Sequence, residues 1–442
     1  MSEITPAREE QFRQMRQAAR DIFAAALKNA SIENAFSRHL HCERGVLRIC
    51  EDLYDLDARS RVFVISMGKA AHTMAAALRA QTGARLEGIV ASSIEPTNQV
   101  RGMRYFCGGH PTPTAESIQA AEAILKSLSS LDANSLVIFM ISGGGSSIVE
   151  KPIDSEIPLA DLNSTYQTLV HSGAPIAEIN TIRKHLSAVK GGRLAQAAYP
   201  AQQVSILVSD VPDSTPDALA SGPTMPDSTS IYDCERIAAR YELVERLPPS
   251  VADLFRQHAL EETPKSDDSA FVNARWWTVL SNKVAIEEAA IAATHAGFAV
   301  EVDCSCDDWD YDRAADHLIR RLRELRSKVS RVCLLSGGEV TVTVQNAGIG
   351  GRNQQFALAC AQRIAGDDMT ILSAGTDGID GDSPAAGAVV DGSTLFRGRG
   401  LEAVRRALAA FDAYPYFAAL GDSVITGLTG NNLRDLRILL AY

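Results

Sequence analysis

Three glycines and two serines close the apolar run of the stretch FMISGGGSSIVEKP, residues 139–152. Successive glycines cost conformational entropy that a turn needing only one would not justify. A nest of bare N–H groups flanked by hydroxyls at a strand end suits an anion, above all phosphate oxygens. Gly143, Gly144, Gly145, Ser146 and Ser147 are therefore the candidate phosphate cradle. Lys69, in SMGKAA, is a second anion ligand by position, just past a β-branched run and in the first turn of a helical pattern. It is not a P-loop lysine. That motif needs a glycine five residues before Gly68 and Ser or Thr after the lysine, where this chain has Phe63 and Ala70. Arg352, in GIGGRNQQ, follows another glycine loop near a helix start, where a guanidinium can fork onto a phosphate or carboxylate or cap a neighbouring carbonyl.

The stretch INTIRKHLSAVKGGRLA, residues 179–195, gathers Arg183, Lys184, His185, Lys190 and Arg193 around two glycines. In an acidic protein such a cluster suits an anionic substrate; a solvated basic helix face is the competing reading. Carboxylates end two strands, as Asp210 and Asp213 in LVSDVPD and as Asp377, Asp380 and Asp382 in SAGTDGIDGD. Aspartates beside glycines often only form turns. One carboxylate per loop, however, suits a Mg²⁺ that keeps most of its waters and is shared with phosphate oxygens. DGIDGD lacks the closing glutamate of a calcium loop. Cys304 and Cys306 form a lone CxC without the second pair a zinc site needs. GRGLEA, at 398–403, matches GxGxxA, but no strand precedes it.

These residues must be positioned by a fold of 442 residues, a length that predicts two or three domains. RVFVISM, EGIVASS, MRYFCGG, SLVIFMIS and QVSILVSD read as buried strands, with helices such as AESIQAAEAILKSL between several of them. Continuous apolar strands alternating with helices predict a mainly parallel sheet covered on both faces. Ligands of such sheets bind at the loops that follow the strands. A polar stretch around 228–270 separates this series from a second one, which starts at WWTVLSN and includes RVCLLSGG, the helix NQQFALACAQRIAG, MTILSAG and LRILLAY. GGEVTVTV alternates Val340, Val342 and Val344 with threonines, which predicts a half-exposed strand and a mixed second sheet. The fold class is thus α/β, in two three-layer domains with a cleft between them. Near the N-terminus, Phe12, Met15, Ala19, Ile22, Phe23 and Ala26 share one side of a helix from Pro6 to about Asn29, a face that needs a partner.

A net charge of −11 argues against nucleic acid or an acidic membrane as partner. The charged N-terminus has no signal-peptide core, no apolar run reaches the roughly 18 residues of a membrane span, and the eight scattered cysteines read as free thiols. A soluble, cytoplasmic protein is expected.

Taken in order, SMGKAA, GGHPTPTAES, ISGGGSS, INTIRKHLSAVKGGRLA, SDVP, ASGPT, SGGE, GGRNQQFALA, GTDGIDG, AAGAVVDG and ITGLTGNNLRDL are spread over nearly the whole chain. Together they resemble the glycerate 2-kinase family, whose C-terminal part is called the MOFRL domain and whose members were once described as hydroxypyruvate reductases. The resemblance implies ATP- and Mg²⁺-dependent phosphorylation of the 2-hydroxyl of D-glycerate. It also implies an N-terminal Rossmann-like domain and a smaller C-terminal α/β domain, which the change in composition divides into 1–245 and 246–442, and essential roles for Lys69 and Arg352; a homodimer is left open. On this basis the 143–147 loop would cradle nucleotide phosphates, and Asp210 and Asp377 would hold Mg²⁺ or, in one of the two, accept the hydroxyl proton. Asn180, Arg183, Lys190 and Arg193 would hold glycerate. The chain departs from the family's usual SDVPGDD (here SDVPDST), GTDGxDGPTDAAGA (here with Pro384 at a common carboxylate position) and GGRNQE (here Gln355), which points to a related hydroxy acid as an alternative substrate. The rivals are an NAD(P)H-dependent hydroxypyruvate reductase, whose strand-linked GxGxxG is not found, and a sugar-acid sensor without turnover.

Overall fold

The computed structural model describes residues 5–83, 86–96, 98–344, 348–398 and 400–442. The chain divides into two compact units, one formed by Ile32–Val279 and the other by the residues up to Ser31 together with Leu280–Tyr442.

The Ile32–Val279 unit opens with a small antiparallel sheet that the sequence reading did not foresee, β1 (Leu40–Glu43), β2 (Val46–Ile49) and β3 (Asp52–Asp55). Its main sheet holds β4 (Val62–Met67), β5 (Glu87–Ser92), β6 (Met103–Cys107), β7 (Leu136–Ser142), β8 (Gln202–Val208) and β9 (Ala274–Leu280), in the order β6-β5-β4-β7-β8-β9. The pairs from β6 through β8 are all parallel. Every residue of β7 is buried, as its unbroken apolar sequence requires of a central strand covered on both faces. On one face Ala120, Ala121, Ile124 and Leu128 of the helix Ala115–Leu128 pack with Phe63, Ile65, Val137 and Phe139. The order of strands reverses between β4 and β7, so the loops leaving their C-terminal ends diverge and leave a crevice, the place where open α/β sheets bind ligands. A separate apolar cluster joins the helices Leu159–Val170, Ile176–His185, Ile231–Arg240 and Pro249–Arg256.

The division at 245/246 expected from composition falls instead at 279/280. The WWTVL strand is the reason: as β9 it lies beside β8 and extends the first sheet rather than opening the second.

The other unit is built on β10 (Ala299–Val302), β11 (Val332–Gly337), β12 (Met369–Gly375), β13 (Gly387–Asp391), β14 (Ser423–Val424) and β15 (Asp435–Ala441), in the order β10-β11-β15-β12-β13-β14. Only β10 and β11 run parallel; the remaining pairs are antiparallel, which makes the sheet mixed. On one face Phe12, Ala19, Ile22, Phe23 and Ala26 of the helix Pro6–Asn29 meet Leu372, Leu436, Ile438 and Leu440. On the other, the helices Tyr311–Arg326 and Arg352–Arg363 pack on Leu334, Ile371 and Leu439.

GGEVTVTV is not a sheet strand. Thr341 makes an isolated bridge with Asp310, Val340 is buried and Val344 is exposed, so alternation in sequence is not matched by a buried face. The antiparallel partners that make this sheet mixed are β13 and β15 instead. The residues that follow, 345–347, lie outside the described set, as does 399 within GRGLEA. Among the described residues no helix is long and apolar enough to cross a membrane.

Candidate active site

At the β4–β7 switch point the structure brings together Lys69, the 143–147 loop and Asp210, each on the loop after a different parallel strand. The Lys69 N–H donates to the Gly143 carbonyl at 2.9 Å, which ties the two loops. Each glycine has its own reason to be one. A β-carbon on Gly143 would lie 1.8 Å from Asp210 Oδ2, so that carboxylate rests directly on the loop backbone. Gly144 has φ +81°, the left-handed region, and a β-carbon there would come 3.0 Å from His110 Cδ2 and 3.1 Å from Lys69 Cγ. At Gly145 it would meet the Ala220 methyl at 2.9 Å.

Gly145 begins the single helical turn Gly145–Ile148, whose first N–H groups have no acceptor within the turn. Ser146 Oγ is 2.9 Å from Ser221 Oγ, and the Ser147 hydroxyl donates inward to the Gly144 carbonyl at 3.3 Å. Behind the loop runs Ala220–Ser221–Gly222, three consecutive residues at positive φ. Two of them carry side chains that disfavour this conformation. The strap is held because the Gly191 and Gly192 N–H groups donate to Ser221 and Gly222 carbonyls at 3.0 and 2.8 Å. Lys69 is exposed and makes no ion pair among the described residues.

The basic cluster separates into different roles. Lys190 is fully buried against the Glu150 carboxylate, which also accepts from the Tyr166 hydroxyl at 2.5 Å and the Ser187 hydroxyl at 2.6 Å. Burial pulls the Lys190 pKa down, against the pull of Glu150. Arg193 is buried and donates to the Glu261 and Glu262 carbonyls at 3.2 and 3.3 Å. These partners correct the expectation that Lys190 and Arg193 reach a substrate: both are consumed inside the unit. Lys184 bridges Asp217 and Asp227 at 3.2 Å each, and His185 lies between the Thr181 carbonyl and Glu262, both at 2.9 Å. Asn180 and Arg183 remain half-buried on the helix Ile176–His185. The Arg183 guanidinium stacks 4.7 Å from the Tyr166 ring centre, and its Nε is buried without a partner.

Arg352 and Asp377 line one cavity of about 630 Å³ in the other unit, together with Glu339, Gly350, Gly351 and Asp380. Arg352 forks onto the fully buried Asp435, at 2.6 and 3.0 Å, and reaches Glu339 at 2.9 Å. Burial opposes its charge, but the Asp435 and Glu339 carboxylates outweigh it and raise the pKa. The neighbouring aspartates divide the work. Asp380 accepts from the Asn353 and Gln354 N–H groups at 3.0 and 2.8 Å and so caps the helix behind Arg352. Asp382 takes the Gly350 N–H at 2.9 Å, and Asp377, half-buried, takes the Ile379 N–H at 3.1 Å.

Among the described residues no three ligating side chains cluster into a ready-made metal site. A cation would be held by single carboxylates such as Asp210 or Asp377, completed by phosphate oxygens and water. This donor set fits Mg²⁺, which prefers oxygen and keeps its waters.

His110, in the loop after β6, also reaches Gly144; its sequence signal is its place in GGHPTPTAES, directly after two glycines.

Fold and site are those of an α/β enzyme with a Rossmann-ordered sheet, and with a glycine-rich loop and a lysine at the switch point. The MOFRL family model matches residues 332–435, and a domain of unknown function, DUF4147, matches 18–256. The chain is 34% identical to a D-glycerate 2-kinase of Thermotoga maritima, over 86% of this chain and 90% of that one. It is 37% identical to a putative hydroxypyruvate reductase of Agrobacterium vitis, over 96% and 94%. The crystal structure of a Thermotoga maritima glycerate kinase superposes with a TM-score of 0.84 at 30% identity, covering 97% of this chain and all of that one. The chain belongs to the MOFRL-domain glycerate kinase family.

Proposed function

We propose that the protein transfers the terminal phosphoryl group of ATP to the 2-hydroxyl of D-glycerate, giving ADP and 2-phospho-D-glycerate. The observation that carries this reading is the meeting of Lys69, the Gly143–Ser147 loop and Asp210 at the switch point of a chain in this family. Phosphoryl transfer asks little covalent chemistry of a protein; alignment and charge neutralisation supply most of the acceleration. The loop N–H groups and the Ser146 hydroxyl would receive nucleotide phosphate oxygens, and the ammonium of Lys69 would balance charge on the migrating group. Arg352, preset by Asp435 and Glu339, would be the second cation the reaction uses. Asp210 or Asp377 would hold Mg²⁺, which when bound neutralises phosphate oxygens. Arg183, with Asn180 one turn before it, would take the glycerate carboxylate, and the Glu150–Lys190 pair would keep the Tyr166 ring beneath it.

The relative described as a hydroxypyruvate reductase makes the alternative concrete, and one experiment separates the two. ADP release is followed over a panel of small hydroxy acids, the phosphorylated carbon is identified by NMR, and NADH oxidation is measured in parallel with hydroxypyruvate. ADP release that depends on D-glycerate, with phosphate on carbon 2, is expected. NADH consumption without any hydroxy-acid-dependent ADP release would overturn the kinase reading.

A further inference from the structure

We propose that His110 is a catalytic residue, accepting the proton of the substrate hydroxyl as that oxygen attacks the phosphorus. The inference rests on the kinase reading above. His110 lies in the loop after β6, a strand separated from β4 by β5, yet its ring reaches the phosphate loop. One close backbone approach and one hydrogen bond bring it there. A β-carbon on Gly108 would lie 2.2 Å from the Ile148 carbonyl oxygen, so this loop packs on the far end of the Gly145–Ile148 turn. The Gly109 N–H is fixed by the Ser117 hydroxyl at 2.9 Å, and Ser117 also receives the Thr114 N–H at 3.1 Å in the cap of the helix Ala115–Leu128. The imidazole of His110 and the side chain of Lys69 then converge on the same glycine, Gly144.

The ring is exposed, and its nitrogens make no hydrogen bond or ion pair among the described residues. Desolvation, and then the charge of Lys69, hold its pKa below the ordinary histidine value, so it is neutral and able to accept a proton near pH 7. A histidine placed only to fill space would not need this proximity to the lysine that faces the phosphoryl group. Asp210 is the other candidate base, but its carboxylate lies on Gly143 and its oxygens suit the cation. In the step itself the hydroxyl oxygen forms a bond to the terminal phosphorus while the bond from that phosphorus to the ADP oxygen breaks. ADP leaves with the electron pair, the hydroxyl proton passes to an imidazole nitrogen, and the imidazolium later returns it to solvent.

The test uses the full chain with His110→Ala and His110→Asn, reading kcat and KM for both substrates with unfolding midpoints as a control. The expected result is a fall in kcat on the order of 10²-fold in both variants, the usual worth of a general base, with KM values within about threefold of wild type. Added imidazole should restore part of the kcat of His110→Ala, more so along a series of increasingly basic imidazoles. His110→Asn keeps a similar size and a hydrogen-bond donor, so near-normal kcat in that variant would show a spacing or donor role and overturn the proposal. Unchanged kcat in His110→Ala, an effect on KM alone, or a slow variant that imidazole does not rescue would each do the same. If His110→Ala does not fold, the kcat of His110→Asn decides. A wild-type protein inert toward every hydroxy acid would remove the kinase reading and this inference together, whereas an active wild type with undiminished variants removes only the inference.

Discussion

Lys69 differs from the other candidate cations in what its charge is doing. Lys184 and Lys190 are matched to carboxylates and Arg193 to carbonyls, so their charges are largely spent on holding the fold. Lys69 is exposed at Gly144 without an ion-pair partner among the described residues. Lys69→Ala should therefore leave the unfolding midpoint nearly unchanged and lower kcat by about 10²- to 10⁴-fold, the scale of losing one charge-stabilising group in the transition state. Steady-state turnover close to wild type would remove Lys69 from the mechanism. The placement of this lysine and of the glycine loop was legible because both depend on local features, a strand end and a backbone conformation that only glycine takes easily. The basic cluster was only half legible. Its residue types announced positive charge, but whether Lys190 met substrate or Glu150, forty positions earlier in the chain, depended on the tertiary fold.

At the scale of elements, the N-terminus of the helix Arg352–Arg363 shows how a loop can be read correctly for its elements and ambiguously for its residues. The sequence displayed three aspartates among glycines, and all three types of role, ligand, cap and turn former, share that pattern. The structure gives the cap to Asp380: a β-carbon on Gly351 would lie 2.3 Å from its Oδ1, and its two oxygens receive the backbone N–H groups of Asn353 and Gln354. Burial raises the Asp380 pKa from 3.8 to about 6, with the helix N–H groups opposing and the Asp435 charge adding to it. The folded carboxyl thus keeps its proton over a range in which the unfolded one has lost it. Stability should fall as pH rises from about 4 to about 6 and level off above, by roughly 3 kcal/mol from this group. Asp380→Asn should flatten that part of the profile. The comparison is made on urea midpoints of the two proteins across this range; parallel profiles would mean that Asp380 ionises normally in the fold. The strands β4 to β8 were legible as apolar runs, whereas VTVTV misled because a period of two specifies a strand only when a neighbouring backbone is there to pair with it.

At the scale of the molecule, the chain begins and ends in the same unit, with Ile32–Val279 inserted between its parts. The amphipathic face of the helix Pro6–Asn29 was plain in the sequence, but its partner was not, because the strands it covers lie more than 300 positions further along. Phe12, Ile22 and Phe23 are almost wholly buried there, Arg16 is paired with Asp391, and Arg20 donates to the Ser423 carbonyl at 2.8 Å. Burial of three such side chains is worth roughly 5–8 kcal/mol as an upper bound, comparable to the whole stability of an ordinary domain. Removal of the residues up to Ser31 should therefore unfold or loosen the sheet of β12, β13 and β15 while sparing β4, β7 and β8, which have their own core. Hydrogen exchange on the truncated protein tests this directly. Fast exchange is expected at 369–375, 387–391 and 435–441 with slow exchange retained at 62–67 and 136–142. Full protection of 435–441 without the helix would show that its apolar face is not what holds that sheet, and equal loss of protection in both sheets would show that the two units do not unfold separately.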